Sequence, residues 1–120
     1  MVKALFDTNI LIDFLNGVPQ AKAEIGAFSE KSISVITWME VMAGAPKAVA
    51  PQTRAFLGDF EMVGVNANVA ERAVGIRQAR KIKLPDAIVW ASAQAEGALL
   101  VTRNTKDFPV DPGVRHPYIV

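Results

Sequence analysis

Four acidic residues stand where the chain leaves an apolar run for a turn or a helix. Asp7 closes "VKALF" (2–6), and Glu40 follows "SISVI" (32–36) by way of "TWM". Asp107 ends "TRNTKD" (102–107), directly after "ALLVT" (98–102), and Asp86 follows Pro85 in "LPDAIVW". Each has a local explanation. Asp is a favoured helix N-cap, and Thr37 with Glu40 reads as a capping box. Asp86 in a first helical turn meets the positive end of the macrodipole, while Asn104 and Asp107 are common turn residues. None of these reasons covers the position that Asp7, Glu40 and Asp107 share, at the carboxyl ends of apolar runs. If the four acids converge, their charges repel, and without compensation at least one keeps its proton. A divalent cation removes that conflict. The chain has no cysteine and one histidine, His116, so carboxylate oxygens favour Mg²⁺ or Mn²⁺ over Zn²⁺. Such an ion polarises a phosphoryl oxygen and makes bound water a nucleophile at neutral pH.

Convergence needs a scaffold, and the hydrophobic pattern supplies one. "VKALF", "SISVI", "EMVGV" (61–65), "ALLVT" and "PYIV" (117–120) read as five strands. Between them, "NILIDFLNG" (9–17) reads as a helix closed by Gly17, with Asp13 on its polar face. "PQAKAEIGAFS" (19–29), "TWMEVMAG" (37–44) and "PQTRAFLGDF" (51–60) follow as helical segments. "NVAERAVGIRQARKIK" (68–83) is predicted as a helix capped by Asn68, and "PDAIVWASAQAEG" (85–97) as another that starts at Pro85. Strands separated by helices predict a parallel α/β sheet with helices on both faces. Such sheets bind ligands outside the carboxyl ends of their strands.

The totals bound the rest. At 120 residues the chain is expected to be one domain, 1–120, and 51% hydrophobic residues exclude a disordered chain. The absence of cysteine excludes disulfides, thiolate metal sites and cysteine nucleophiles. No stretch free of Asp, Glu, Lys and Arg exceeds nine residues, too short to span a bilayer. Asp7 comes too soon for a secretory leader, so a cytoplasmic protein is expected. A net charge of +1 gives no global polyanion signal. Any nucleic-acid surface must therefore be local. Arg80, Lys81 and Lys83, just before Asp86, and Arg103 and Lys106, flanking Asp107, are the candidate phosphate contacts. Arg72 and Arg77 read as a solvated helix face.

The stretches "FDTNILIDFL" (6–15), "ITWMEVMAG" (36–44), "LPDAIVWASA" (84–93) and "LVTRNTKDF" (100–108) together resemble the PIN domains, and most closely the VapC-type toxin ribonucleases of toxin–antitoxin pairs. The last stretch matches the family pattern T-x-N-x-x-D-F at every defined position. The resemblance implies that Asp7, Glu40, Asp86 and Asp107 are catalytic ligands of Mg²⁺ or Mn²⁺. It implies that Thr8, Asn9, Thr102 and Asn104 orient those acids and nearby water. It further implies a parallel sheet of order 3-2-1-4-5, an RNA substrate, a cognate antitoxin over the acidic site and a homodimer. The first helix, apolar nearly all round, suits either such a cover or internal burial. Trp90 stands where the family usually has a small residue, which sets base stacking against burial in the core.

Two other classes share the size and the α/β alternation. A phospho-receiver domain needs an aspartate after the third strand, where this chain has "EMVGVNAN". An aspartate-nucleophile phosphatase needs D-x-D after the first strand, where this chain has "DTN". A non-catalytic binding protein on the PIN fold is separated from the nuclease only by an activity assay.

Overall fold

The computed structural model describes residues 2–120. Its strands are β1 (Lys3–Phe6), β2 (Glu30–Ser34), β3 (Glu61–Val63), β4 (Leu99–Val101) and β5 (Val114–Arg115). Its helices are α1 (Thr8–Leu15), α2 (Pro19–Gly26), α3 (Val35–Gly44), α4 (Ala50–Leu57), α5 (Ala67–Arg80) and α6 (Leu84–Ala95), with a 3₁₀ turn at Lys47–Val49. The strands form one parallel sheet of order β3-β2-β1-β4-β5. That order is the one the resemblance implied. Among the described residues no helix is long and apolar enough to cross a membrane.

Alternation along β1 divides the core between the two faces. Leu5 points into a cluster with Val69 and Ala73 of α5 and Ala87, Trp90 and Ala91 of α6. Ala4 and Phe6 point the other way, towards Ile10 and Leu11 of α1, Val41 of α3 and Phe60. Phe6 meets Phe28 and Phe60 edge-on, at 5.8 and 5.9 Å between ring centroids. Trp90 is buried in the first cluster, edge-on to Phe108 at 5.9 Å, so it belongs to the core and not to a stacking platform.

Several boundaries differ from those read in the sequence. β2 spans 30–34 instead of 32–36, because the Ser34 hydroxyl accepts from the Ile36 amide at 3.1 Å and starts α3 there. A hydroxyl cap overrides the strand preference of Val35 and Ile36. α5 begins at Ala67 under Asn66, whose Oδ1 accepts from Val69 N–H at 2.9 Å. Asn68, expected as the cap, instead takes the Arg72 Nε at 3.0 Å. The helix stops at Arg80 because Lys81 adopts the left-handed conformation, with φ 56°, and Arg77 Nη1 reaches the Ile82 carbonyl. The last strand is Val114–Arg115 and not 117–120, since Leu100 and Val101 of β4 pair with those two residues.

The register decides where the site forms. Phe6 lies beside Val101, and the Asp7 amide donates to the Val101 carbonyl at 2.9 Å. Thr102 N–H donates to the Arg115 carbonyl at 3.0 Å. The carboxyl ends of β1, β4 and β5 therefore lie side by side.

Candidate active site

Asp7 is buried at the end of β1, and each of its carboxylate oxygens is engaged. Oδ1 accepts from Thr8 N–H at 2.8 Å, so the residue does cap α1. Oδ2 accepts from the Thr102 hydroxyl at 2.8 Å and from Asn9 Nδ2 at 3.2 Å. Burial pushes Asp7 up to about 6 against the bonds from Thr102 and Thr8, and the charges of Asp86 and Glu40 add to the rise. A carboxylate so placed needs a cation to stay ionised without cost.

Thr102 is the hub of this cluster. Its hydroxyl donates to Asp7 and accepts from Asn9 Nδ2 at 3.2 Å and from the Asn104 amide at 3.0 Å, which fills its hydrogen-bonding capacity. Thr102→Val keeps the shape and removes all three bonds. The variant is expected to lose about 2–3 kcal/mol in chemical denaturation, the cost of a buried carboxylate and two amide donors left short. An unchanged midpoint would show that the hub is dispensable.

Glu40 is not the arm of a capping box, because α3 starts two residues before Thr37 and is capped by Ser34. Its Oε1 instead accepts from the Thr8 hydroxyl at 2.7 Å. That hydroxyl has one hydrogen and spends it on the carboxylate, so Thr37, 3.1 Å away and buried, donates to Thr8. Asn104 holds Asp107: Nδ2 donates to Asp107 Oδ2 at 3.0 Å, and Oδ1 accepts from the amides of Lys106 and Asp107, each at 3.1 Å. Asp86 sits in the first turn of α6 after Pro85, half-buried. Burial raises its pKa, as do the charges of Asp107 and Glu40, with Lys83 opposing.

Asp7, Glu40 and Asp86 line one cavity of about 370 Å³ together with Thr8, Asn9, Ile12, Arg103 and Asn104. Asp107 adjoins it through Asn104 and through its repulsion of Asp86. The four acids therefore share one locality, which brings in Asp86, a residue that the strand ends do not place. They do not share one point. Among the described residues, no group of three or more His, Cys, Asp or Glu side chains is close enough to hold a metal ion as those side chains stand. The physical reason is visible in the bonds just described, since Thr8 and Asn104 draw Glu40 and Asp107 to separate partners. The donor set is all oxygen, and His116 is occupied elsewhere, its Nε2 lying 2.8 Å from the Phe108 carbonyl. That set fits a hard dication.

The largest departure from the sequence reading concerns Asp13 and Arg103. Asp13 is not on a solvated helix face. It is buried, and Arg103 grips it with two bonds, Nε to Oδ2 at 2.6 Å and Nη2 to Oδ1 at 2.9 Å. The Tyr118 hydroxyl adds a third at 2.8 Å. Arg103, expected as a phosphate contact, is thus tied to the protein, and its amide donates to Asn9 Oδ1 at 3.1 Å. This cluster clamps the start of the turn that carries Asn104 and Asp107. A signal existed in the sequence: position 13 lies one helical turn from Ile10, on the apolar stripe of α1. Among the other basic candidates, Arg80 lies over the Trp90 ring at 4.9 Å, while Lys81, Lys83 and Lys106 are exposed.

The PIN domain family matches residues 4–110. The chain is a PIN domain of the VapC toxin type. A chain of a toxin–antitoxin complex from Klebsiella pneumoniae is 49% identical, with a TM-score of 0.93 over 98% of this chain and 100% of that one. The tRNA(fMet)-specific endonuclease VapC of Salmonella typhimurium is 30% identical over 96% of each chain. The DNA-bound VapBC structure from the same organism has a TM-score of 0.76 at 28% identity, covering 96% of each chain. As a VapC-type toxin, the chain belongs to the ribonucleases, and the receiver and phosphatase readings fall away.

Proposed function

We propose that this VapC-type toxin is an Mg²⁺- or Mn²⁺-dependent endoribonuclease, with Asp7, Glu40, Asp86 and Asp107 as the acids that hold the ion and arrange the water. The observation that carries this reading is the buried Asp7 carboxylate, pushed up to about 6 and facing two more acids across one cavity. An acidic pocket repels a phosphodiester until a cation is bound. When bound, the dication supplies neutralisation of phosphoryl charge and a water acidic enough to attack at neutral pH. The protein's part is placement. Thr102, Thr8 and Asn9 fix Asp7, Thr8 orients Glu40, and Asn104 fixes Asp107. Glu40 is exposed and Asp86 half-buried, so both have room to turn towards an ion.

The Salmonella relative acts on tRNA(fMet) by name, which makes structured RNA of that class the first substrate to test. The Klebsiella relative was solved as a toxin–antitoxin complex. An apolar groove of about 520 Å³ between α1, α3 and α4 suits an antitoxin segment, with Ile12, Leu15, Val41 and Val49 among its walls. Ile12 also lines the acidic cavity, so a segment in the groove reaches the site. Apolar surface left exposed on α1 at Ile12 and Leu15 is equally available to a homodimer contact.

The test is cleavage of labelled tRNA and ribosomal RNA by the purified chain. Cleavage is expected with Mg²⁺ or Mn²⁺ and none in excess chelator, and Mn²⁺ alone is expected to raise the melting temperature. Cutting that persists at the same rate in chelator would refute the metal assignment. A chain that binds RNA and never cuts it, whatever the metal, would instead support the non-catalytic reading.

A further inference from the structure

A second cavity, of about 640 Å³, abuts the acidic one and is lined by Arg103, Thr105, His116, Tyr118, Ile119 and Val120. We propose that it is a nucleotide subsite, holding one unpaired nucleotide of the RNA strand next to the phosphodiester at the acids. This inference rests on the ribonuclease reading for its place in the reaction, though binding in the cavity can be measured without it.

Position comes from the sheet register. β5 ends at Arg115 beside Val101, so His116 and Tyr118 leave the sheet next to the turn that carries Asn104 and Asp107. Arg103 lines both cavities and is the partition between them. An RNA strand whose phosphate reaches the acids therefore has a neighbouring residue at the mouth of the second cavity. No Asp or Glu is among the residues that line that cavity, in contrast to the first. A strand repelled by acids on one side of Arg103 meets an uncharged, partly aromatic wall on the other, with the Arg103 charge already paired to Asp13.

The wall is built for a base and a sugar. The Tyr118 ring is held in orientation by its hydroxyl bond to Asp13, and Asp13 also fixes the Arg103 plane. His116 Nε2 lies 2.8 Å from the Phe108 carbonyl, which can only accept, so Nε2 carries the proton. In the neutral ring Nδ1 is then a committed acceptor. Thr105 is exposed and offers a hydroxyl that can donate or accept. Rings for stacking and a few directed polar groups are the recurring recipe for unpaired RNA bases. The volume falls within the roughly 300–1,000 Å³ of small-ligand sites.

The experiment is a titration of the ¹⁵N-labelled full chain with AMP, GMP, CMP and UMP in chelator, followed by amide shifts, with a parallel Mn²⁺ titration. Saturable shifts are expected at residues 103–106 and 114–119 for at least one nucleotide. Thr105→Val and His116→Ala should each weaken that binding at least threefold while leaving Mn²⁺ broadening around Asp7 and Asp86 unchanged. In cleavage assays the same variants should raise KM for RNA with kcat held. Nucleotide shifts confined to the neighbourhood of Asp7 and Glu40, or variants that bind like the parent chain, overturn the subsite. So do cavity signals that respond to protein concentration and not to nucleotide, which would assign the surface to a second copy. Should Mn²⁺ fail to bind while nucleotides still fill the cavity, the nuclease reading falls and the nucleotide site stands. Cleavage with Mn²⁺ bound and the cavity silent sinks the subsite alone.

Discussion

Asp86→Asn is expected to abolish RNA cleavage, by 10²–10³-fold or more on the scale of losing one transition-state electrostatic contact, while the metal-free protein becomes no less stable. The two halves of this result come from the same charge. The Asp86 carboxylate makes no side-chain hydrogen bond to another described residue, and Asp107 and Glu40 repel it. Neutralising it removes that repulsion at the cost of a weak attraction to Lys83. A gain of a few tenths to about 1 kcal/mol is the scale for a partly exposed charge. Adding Mn²⁺ should reverse the ranking. A site that holds the ion gains roughly 2.7 kcal/mol at a hundred times its dissociation constant, and the variant gains less. Melting temperatures in chelator and in Mn²⁺, measured beside cleavage rates, check both halves. An Asp86→Asn chain that cuts RNA like the parent would remove this acid from the mechanism.

Arg103→Ala should be strongly destabilising, by about 2–3 kcal/mol, because it strands the buried Asp13 carboxylate, although Arg103 itself is partly exposed. Asp13 would keep only the Tyr118 hydroxyl in a buried setting, and its pKa would rise. Replacing both partners, Asp13→Leu with Arg103→Met, should recover part of the loss, because no charge is then stranded. Urea denaturation of the single and double variants gives the coupling. If the double variant is as unstable as Arg103→Ala, the pair is not the source of the effect. Cleavage by Arg103→Ala should also fall, since the turn that carries Asn104 and Asp107 loses its anchor.

Asp13 and Asp7 set opposite pH trends in the metal-free chain. Burial pushes Asp13 up, but the bonds from Arg103 and Tyr118 and the Arg103 charge outweigh it and leave it below its ordinary 3.8. Its contribution is present above that value and is lost as pH falls through the lowered one. Asp7 is raised to about 6, so its contribution is present below 3.8 and is lost as pH climbs through about 6. Between them these two groups favour a stability maximum near 3.8 in chelator, with stability falling from there to about 6. Mn²⁺ should move that maximum upward, because the ion favours the ionised carboxylate. A maximum that stays put on adding Mn²⁺ would mean that Asp7 does not meet the ion.

Much of this molecule is legible in its residue order. Apolar runs before Asp7 and Asp107 encode strand ends, because a continuous hydrophobic run is what a doubly covered parallel strand requires, whereas the run before Glu40 crosses from β2 into α3. Pro85 and Gly17 mark a helix start and a helix end through local backbone geometry alone. The helix starts at Ser34 and Asn66 were missed because neighbouring residues had equal claims as caps, and only one of each could be reached by the first free amides. Trp90 was weighed correctly, as a large apolar ring whose burial outbids stacking.

What the sequence by itself determined is the kind of chemistry: oxygen donors without thiolates, spaced so that each follows a strand or opens a helix. Those properties are local, carried by residue type and by periods of two and of 3.6 residues. Only the tertiary structure decided which of those groups meet. It paired Asp13 with Arg103 and Tyr118 across 90 and 105 residues of chain, and Asp7 with Thr102 across 95. Such contacts follow from the register of β1, β4 and β5, which depends on how the whole core packs.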